Sequence, residues 1–221
     1  MSASLARVRI WDLPTRLFHW LLAALVVFSF TTGKIGSDWL QWHFRSGYAI
    51  AALLLFRLLW GFAGSRYARF ASFLPSPSHV WGTLRSRGST IPISAGHRGI
   101  GTLSVYAVLI VLIVQVSTGA FTNDGTFTEG PWVKFVSGAT SDRLSTMHYY
   151  NGWLVAGLTA LHVAAITFYL LARREDLITP MLTGDKLGLA APAAEDGAAI
   201  RLRAAALAML AGSVVFYLVT L

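Results

Sequence analysis

A chain of 221 residues with 55% hydrophobic and 13% charged side chains carries about half the charge of an ordinary soluble domain, which excludes a fully solvated surface and puts lipid first. No cysteine is present, so disulfides, thiolate-bound zinc, cysteine-held iron–sulfur clusters and covalently attached haem are excluded. The net charge of +8 is no sign of nucleic-acid binding, because the basic residues fall in short segments between apolar runs.

Five such runs follow in chain order, at 17–32, 47–62, 101–118, 152–171 and 204–221. Each approaches the ~20 residues with which a helix crosses a bilayer core. Their continuity favours helices, since lipid cannot satisfy an open sheet edge and no alternating barrel pattern is present. The expected fold is all-α: a transmembrane helical bundle with a four-helix core in residues 1–182, a linker over 183–203 and a fifth, C-terminal transmembrane helix over 204–221. Arg7, Arg9 and Arg16 precede the first run and no small-residue cleavage site follows it, so it is expected to stay as a span. The loop at 64–99 is rich in Ser, Pro and Gly and is expected to lie along the inner surface, with Phe70 and Trp81 dipping in. The outer loop at 121–147 holds Trp132, Val133, Phe135 and Val136 and is expected to carry a short interfacial helix. No fixed-period repeat stands out.

Basic residues set the orientation. With the N-terminus cytoplasmic, thirteen Lys and Arg fall inside and only Lys34, Arg45, Lys134 and Arg143 outside. The expected topology is therefore N-terminus in, five spans, C-terminus periplasmic. Trp11, Trp60 and Trp81 then mark the inner interface, and Trp39, Trp42, Trp132 and Trp153 the outer one.

Ionisable residues at membrane depth are costly and point to function. Four of the six histidines lie at or in the spans. His148 and His162 are fourteen residues apart on one expected helix. That spacing puts both rings on nearly one face, about 21 Å apart along the axis. His19 begins span one on the inner side, and His43 begins span two on the outer side. By depth the four form two pairs, His19 with His162 and His43 with His148. Each pair bridges two helices, as a porphyrin with one imidazole on each face requires. Zinc would want its ligands in one place. Gly47, Gly152 and Ala23 follow His43, His148 and His19 by four residues, one turn along the same face. They give either a low profile for a flat macrocycle or ordinary close helix packing.

Arg57, fourteen residues after His43, reaches the depth of the inner pair. It is either a partner for a haem propionate or a side chain snorkelling beside Trp60. Gln115 either faces a cofactor or bonds a neighbouring helix. His79 and His97 lie in the inner loop. A solvated or interfacial role is the expectation for both, with a propionate or quinone contact the alternative for His97. For a quinone, His97, Arg98 and the start of span one are inner candidates, and Tyr149, Tyr150 and Trp153 outer ones.

The run Trp11-Asp12-Leu13-Pro14-Thr15-Arg16-Leu17-Phe18-His19-Trp20 resembles the start of bacterial cytochrome b561 proteins of the nickel-hydrogenase cytochrome b subunit type. Arg57-Leu58-Leu59-Trp60-Gly61, Gly96-His97 and the spaced His148 and His162 extend the resemblance over roughly residues 8–185. It implies a four-helix core with two non-covalent b haems on these four histidines, metal ligands in pairs. It also implies electron transfer between the membrane quinone pool and a redox partner: a hydrogenase, another dehydrogenase or reductase, or a c-type cytochrome. Some relatives instead oxidise superoxide alone and reduce quinone. Arg98-Gly99-Ile100-Gly101 stands where many relatives have Asn-Pro, and Tyr149-Tyr150-Asn151 follows His148. Those departures bear on partner and quinone, not on the haems. The expectation is thus a di-haem b-type cytochrome acting as an electron-transfer subunit in a bacterial inner membrane. The alternatives are a superoxide:quinone oxidoreductase, for which the four outer basic residues would form a funnel, and a colourless histidine-based transporter.

Overall fold

The computed structural model describes residues 7–73, 99–123, 125, 128–188 and 191–221. His79, Trp81, His97 and Arg98 lie outside the described residues. Among the described residues five helices are long and apolar enough to cross a membrane: α1 (Leu13–Ile35), α2 (Leu40–Ala63), α3 (Gly99–Gly119), α4 (Gly138–Ala172) and, after the short α5 (Ile178–Thr183), α6 (Ala198–Thr220). Among the described residues sheet is confined to one antiparallel pair, β1 (Arg7–Arg9) with β2 (Asp185–Leu187), beside an isolated bridge between Asn123 and Glu129. The protein is an all-α membrane bundle, as its apolar runs require. Large apolar side chains stand exposed along the long helices, among them Phe62, Ile110, Leu161, Leu171, Leu202 and Phe216. Lipid is the solvent that such faces accept.

The helices reach further than the apolar runs. α4 begins at Gly138, well before the apolar run at 152. Ser137 caps it, its hydroxyl accepting the Thr140 amide at 3.3 Å. Its 35 residues span about 52 Å, against a hydrocarbon core of ~30 Å. Apolarity locates the part of a helix that lipid surrounds, and capping chemistry locates its ends. In the outer segment expected to hold an interfacial helix, the described residues form a 3-10 turn at Val133–Phe135, and from Gly138 on the segment is already α4.

Two compact units divide the chain. The first comprises Met1–Leu17, Leu58–Ala107 and His162–Ala205. Asp12 is its pivot. The Asp12 carboxylate caps α1 by accepting the Thr15 amide at 2.6 Å, and Pro14 sits in the first turn, where its missing N–H costs nothing. Asp12 is fully buried and also accepts the Ser65 hydroxyl and, at 3.3 Å, the Trp60 indole N–H. Asp196, the second pivot, pairs with Arg9 at 2.5 Å and Arg201 at 3.2 Å and accepts the Leu13 amide at 3.1 Å. Burial opposes its ionisation, but the hydrogen bonds from Arg201, the Leu13 amide and Arg9 outweigh that and hold its carboxyl below the usual range. The Arg9 hydrogen bond likewise holds Asp185 down. The 183–203 stretch, expected as a linker, thus carries β2, the ion-paired Asp196 and the first turn of α6. At Gly184 the chain turns with φ of +92°, a left-handed conformation that suits glycine.

The second unit comprises Phe18–Arg57, Val108–Leu161 and Ala206–Leu221. Gly36 ends α1 with φ of +67°, again a glycine at a helix C-terminus. The chain between α3 and α4 folds onto its own unit. The Trp132 amide bonds the Ala120 carbonyl at 2.9 Å, its indole N–H bonds the Leu218 carbonyl of α6 at 2.7 Å, and the Ser141 hydroxyl bonds the Phe121 carbonyl at 2.8 Å.

Candidate functional site

The second unit encloses a cavity of about 510 Å³, within the size range of small-molecule and cofactor sites. His43 of α2 and His148 of α4 both line it, with Gly47 and Gly152 beside them. The two imidazoles face each other with ring centres 5.9 Å apart and planes crossing at 84°. Imidazoles that ligate one metal ion from opposite sides, each about 2 Å from it, hold their ring centres roughly 6 Å apart.

Each ring is fixed through its Nδ1. His43 Nδ1 lies 2.8 Å from the Ser29 carbonyl of α1, and His148 Nδ1 lies 3.0 Å from the Gln115 carbonyl of α3. A carbonyl only accepts, so each Nδ1 carries the hydrogen and donates it. Each ring thus uses Nδ1 as a hydrogen-bond donor and leaves Nε2 as the nitrogen that could ligate a metal. Ligating histidines are commonly oriented in this way, the other ring nitrogen donating to a carbonyl or carboxylate. The Gln115 amide supports the assignment: its nitrogen sits 3.2 Å from His148 Nε2. Its oxygen accepts from Asn151 Nδ2 at 2.7 Å, which fixes the NH₂ group as the one that donates toward His148.

The glycines test the fit of a flat group. A Cβ on Gly47 would meet nothing within 4 Å, and one on Gly152 only the Gln115 amide nitrogen at 3.4 Å. Gly47 gives onto open space at the cavity and Gly152 onto a single side-chain atom, a low profile such as a macrocycle needs. Among the described residues no group of three or more His, Cys, Asp or Glu could hold a bare metal ion. Two imidazoles at this separation beside an apolar cavity are a donor set that fits haem.

His19 lies half-buried on α1 in the same unit, its ring edge-on to Trp20 at 5.0 Å. His162 lies on α4 where the other unit's His162–Ala205 segment begins. Arg57, in α2, is 4% exposed. Gln115 bonds another helix, which was one expectation for it, and it lines the cavity. Tyr149 and Tyr150 are exposed. The ammonium of Lys34 lies over the rings of Trp153, Tyr149 and Phe30 at 4.2, 4.6 and 5.5 Å, an aromatic box at the cavity lining. Sequence reasoning missed Ser29, Gly33, Gly119 and Asn151. The signal present was a repeated Thr-Gly pair, Thr32-Gly33 and Thr118-Gly119, near the ends of spans one and three.

Comparison with known proteins agrees with this chemistry. Residues 10–184 match the family described as prokaryotic cytochrome b561. A probable Ni/Fe-hydrogenase B-type cytochrome subunit of Azotobacter vinelandii is 24% identical over 213 residues, covering 80% of this chain and 87% of that protein. The corresponding protein of Bradyrhizobium diazoefficiens is 21% identical over 214 residues, covering 81% and 85%. The probable Ni/Fe-hydrogenase 1 B-type cytochrome subunit of Escherichia coli K12 is 22% identical over 206 residues, covering 77% and 84%. No solved structure matches the chain significantly. With five apolar helices and a family match over most of its length, the chain belongs to the prokaryotic cytochrome b561 family, as a multi-pass membrane cytochrome b of electron transport whose cofactor is haem b.

Proposed function

We propose that the protein is a di-haem cytochrome b that relays electrons across a bacterial inner membrane between the quinone pool and a redox partner protein. The observation that carries this reading is the opposition of His43 and His148, each with Nδ1 committed to a carbonyl and Nε2 left as a donor. Haem b bound there would supply reversible one-electron exchange. The chain's own part is to hold two half-buried imidazoles at the separation of opposed ligands beside an apolar cavity, a setting that would tune the potential. His43 and His148 would hold the haem between them, so it would supply electron exchange rather than substrate binding at the metal.

A second haem is proposed on His19 and His162, on the fourteen-residue spacing from His148 to His162 and the place of His19 at the start of span one. Arg57 is its proposed propionate partner, a buried cation in an apolar helix. The proposed orientation, N-terminus cytoplasmic and C-terminus periplasmic, rests on the thirteen-to-four distribution of basic residues. For the partner, the printed names of the relatives point first to a Ni/Fe hydrogenase; a c-type cytochrome or another oxidoreductase would use the same relay.

One observation favours a second reading, a stand-alone superoxide:quinone oxidoreductase. Lys34 lines the cavity that holds His43 and His148, and a cation there would attract a small anion. A single experiment separates the readings. The protein is purified in mild detergent, the co-purifying proteins are identified, and a quinol is added to the oxidised sample. Relay predicts a b-type band that quinol reduces and a redox protein in the same fraction. A protein that purifies alone and is reduced rapidly by superoxide supports the second reading. A haem reduced by dithionite but by neither donor contradicts both.

A further inference from the structure

Two short segments on different helices hold the two histidines in a similar way, the second polar contact to Nδ1 coming from Ser29 Oγ at 3.2 Å for His43 and from Thr118 Oγ1 at 3.4 Å for His148. On α1, Ser29-Phe30-Thr31-Thr32-Gly33 meets His43; on α3, Gln115-Val116-Ser117-Thr118-Gly119 meets His148. In each, the first residue's carbonyl accepts the imidazole Nδ1–H, at 2.8 and 3.0 Å. In each, the threonine three residues on donates to that same carbonyl at 3.1 Å and to the carbonyl before it, Phe28 at 2.9 Å or Val114 at 2.7 Å. The glycine that follows lies against the ring in each case. A Cβ on Gly33 would fall 2.8 Å from His43 Nδ1 and 3.0 Å from its Cε1, and one on Gly119 would fall 2.9 Å from His148 Cε1 and 3.1 Å from its Nδ1. Thr32 and Thr118 are buried, at 1% and 5% exposure.

We infer that Thr32-Gly33 and Thr118-Gly119 are matched positioning pairs that set the planes of the two axial imidazoles nearly perpendicular, and with them the electronic state of the haem iron. The inference rests on the haem reading above and adds residues that touch the ligands rather than the cofactor. The physical argument has two parts. A hydrogen bond to a carbonyl fixes the direction of the Nδ1–H bond but leaves the ring free to rock about it. The glycine surface removes that freedom on one side, because any Cβ there overlaps the ring. The threonine hydroxyl shares the carbonyl, so it narrows the directions from which the imidazole N–H can approach and weakens the charge that the carbonyl offers it. Perpendicular rings split the iron d orbitals least, and a low-spin ferric centre then gives one highly anisotropic resonance instead of the three-line rhombic signal of parallel rings. The two rings cross at 84°.

Threonines that bond back to their own helix and glycines at close helix contacts also occur for purely structural reasons, so the test uses readouts that such roles would not move. The purified, air-oxidised protein is examined by electron paramagnetic resonance and by redox titration, as wild type and as the Gly33→Ala, Gly119→Ala, Thr118→Val and Thr118→Ser variants. Gly212→Ala serves as control, since a Cβ there meets nothing within 4 Å. The expected wild-type signal includes a single highly anisotropic feature. Each Gly→Ala change moves that feature toward a rhombic line shape with haem still bound, while Gly212→Ala leaves it in place. Thr118→Val shifts the midpoint potential of the same haem, and Thr118→Ser restores it. A rhombic wild-type signal overturns the inference, as do alanine variants that keep haem with an unchanged signal. Loss of haem from both alanine variants together with an unshifted potential in Thr118→Val would leave only a packing role, and overturns it too. A wild-type protein that binds no haem refutes the underlying reading instead, so the two failures are distinguishable.

Discussion

The Gln115 amide nitrogen lies 3.2 Å from Nε2 of His148, the ring atom whose lone pair is available for iron. Asn151 holds Gln115 in this position, donating to its amide oxygen at 2.7 Å and to the Val111 carbonyl at 3.0 Å. On the proposed assignment, haem would have to displace this amide from the nitrogen. The amide also keeps the ring aimed into the cavity.

That competition has a measurable size. Gln115→Ala removes one hydrogen bond, worth roughly 0.5–1.5 kcal/mol net, that haem must otherwise displace. Haem titrated into detergent-solubilised apoprotein is expected to bind about two- to tenfold more tightly to the variant. Weaker binding would show that Gln115 supports the haem-bound state.

Asp12 holds the N-terminus of α1 to residues after α2. Asp12→Ala leaves the Thr15 amide, the Ser65 hydroxyl and the Trp60 indole short of an acceptor. Each buried donor left unmet costs roughly 1–3 kcal/mol, although the indole keeps Thr15 Oγ1 at 3.2 Å. Thermal unfolding in detergent is expected to shift well below wild type, with Asp12→Asn falling between the two. An unchanged unfolding temperature would contradict the role.

The acid response follows from Asp196 and Asp185, both outside the spans and both with carboxyls held below the usual range. A depressed carboxyl contributes stability that is fully present above its unfolded value, about 3.9. That contribution is lost as pH falls through the folded value. Asp196→Asn should therefore destabilise at neutral pH and converge with wild type in acid. Unfolding temperatures measured from about pH 7 to about pH 3 check it; a gap that widens in acid contradicts the sign.

The spans, the family and the meeting of His43 with His148 were legible because they rest on short-range signals. A continuous apolar run needs no partner to be recognised, and His148 and His162 share a helix, so their spacing carries geometry. Ser29 and Gly33 were not legible, because their meaning depends on which ring packs against them from another helix. The same holds for Asp12, which the sequence offers only as one letter of a resemblance, and for Asp196, set in an Ala-rich stretch that has the composition of a linker. The ends of α4 were missed because capping by Ser137 precedes any apolar residue of the span.

The most direct test is the amount of haem bound per chain, read as a pyridine haemochrome against protein concentration, in wild type and in His43→Ala and His148→Ala. Two haems per wild-type chain are expected, with one lost in either variant and the other retained. A colourless wild-type protein, or variants with the full haem content of the parent, would contradict the assignment of His43 and His148 as opposed iron ligands.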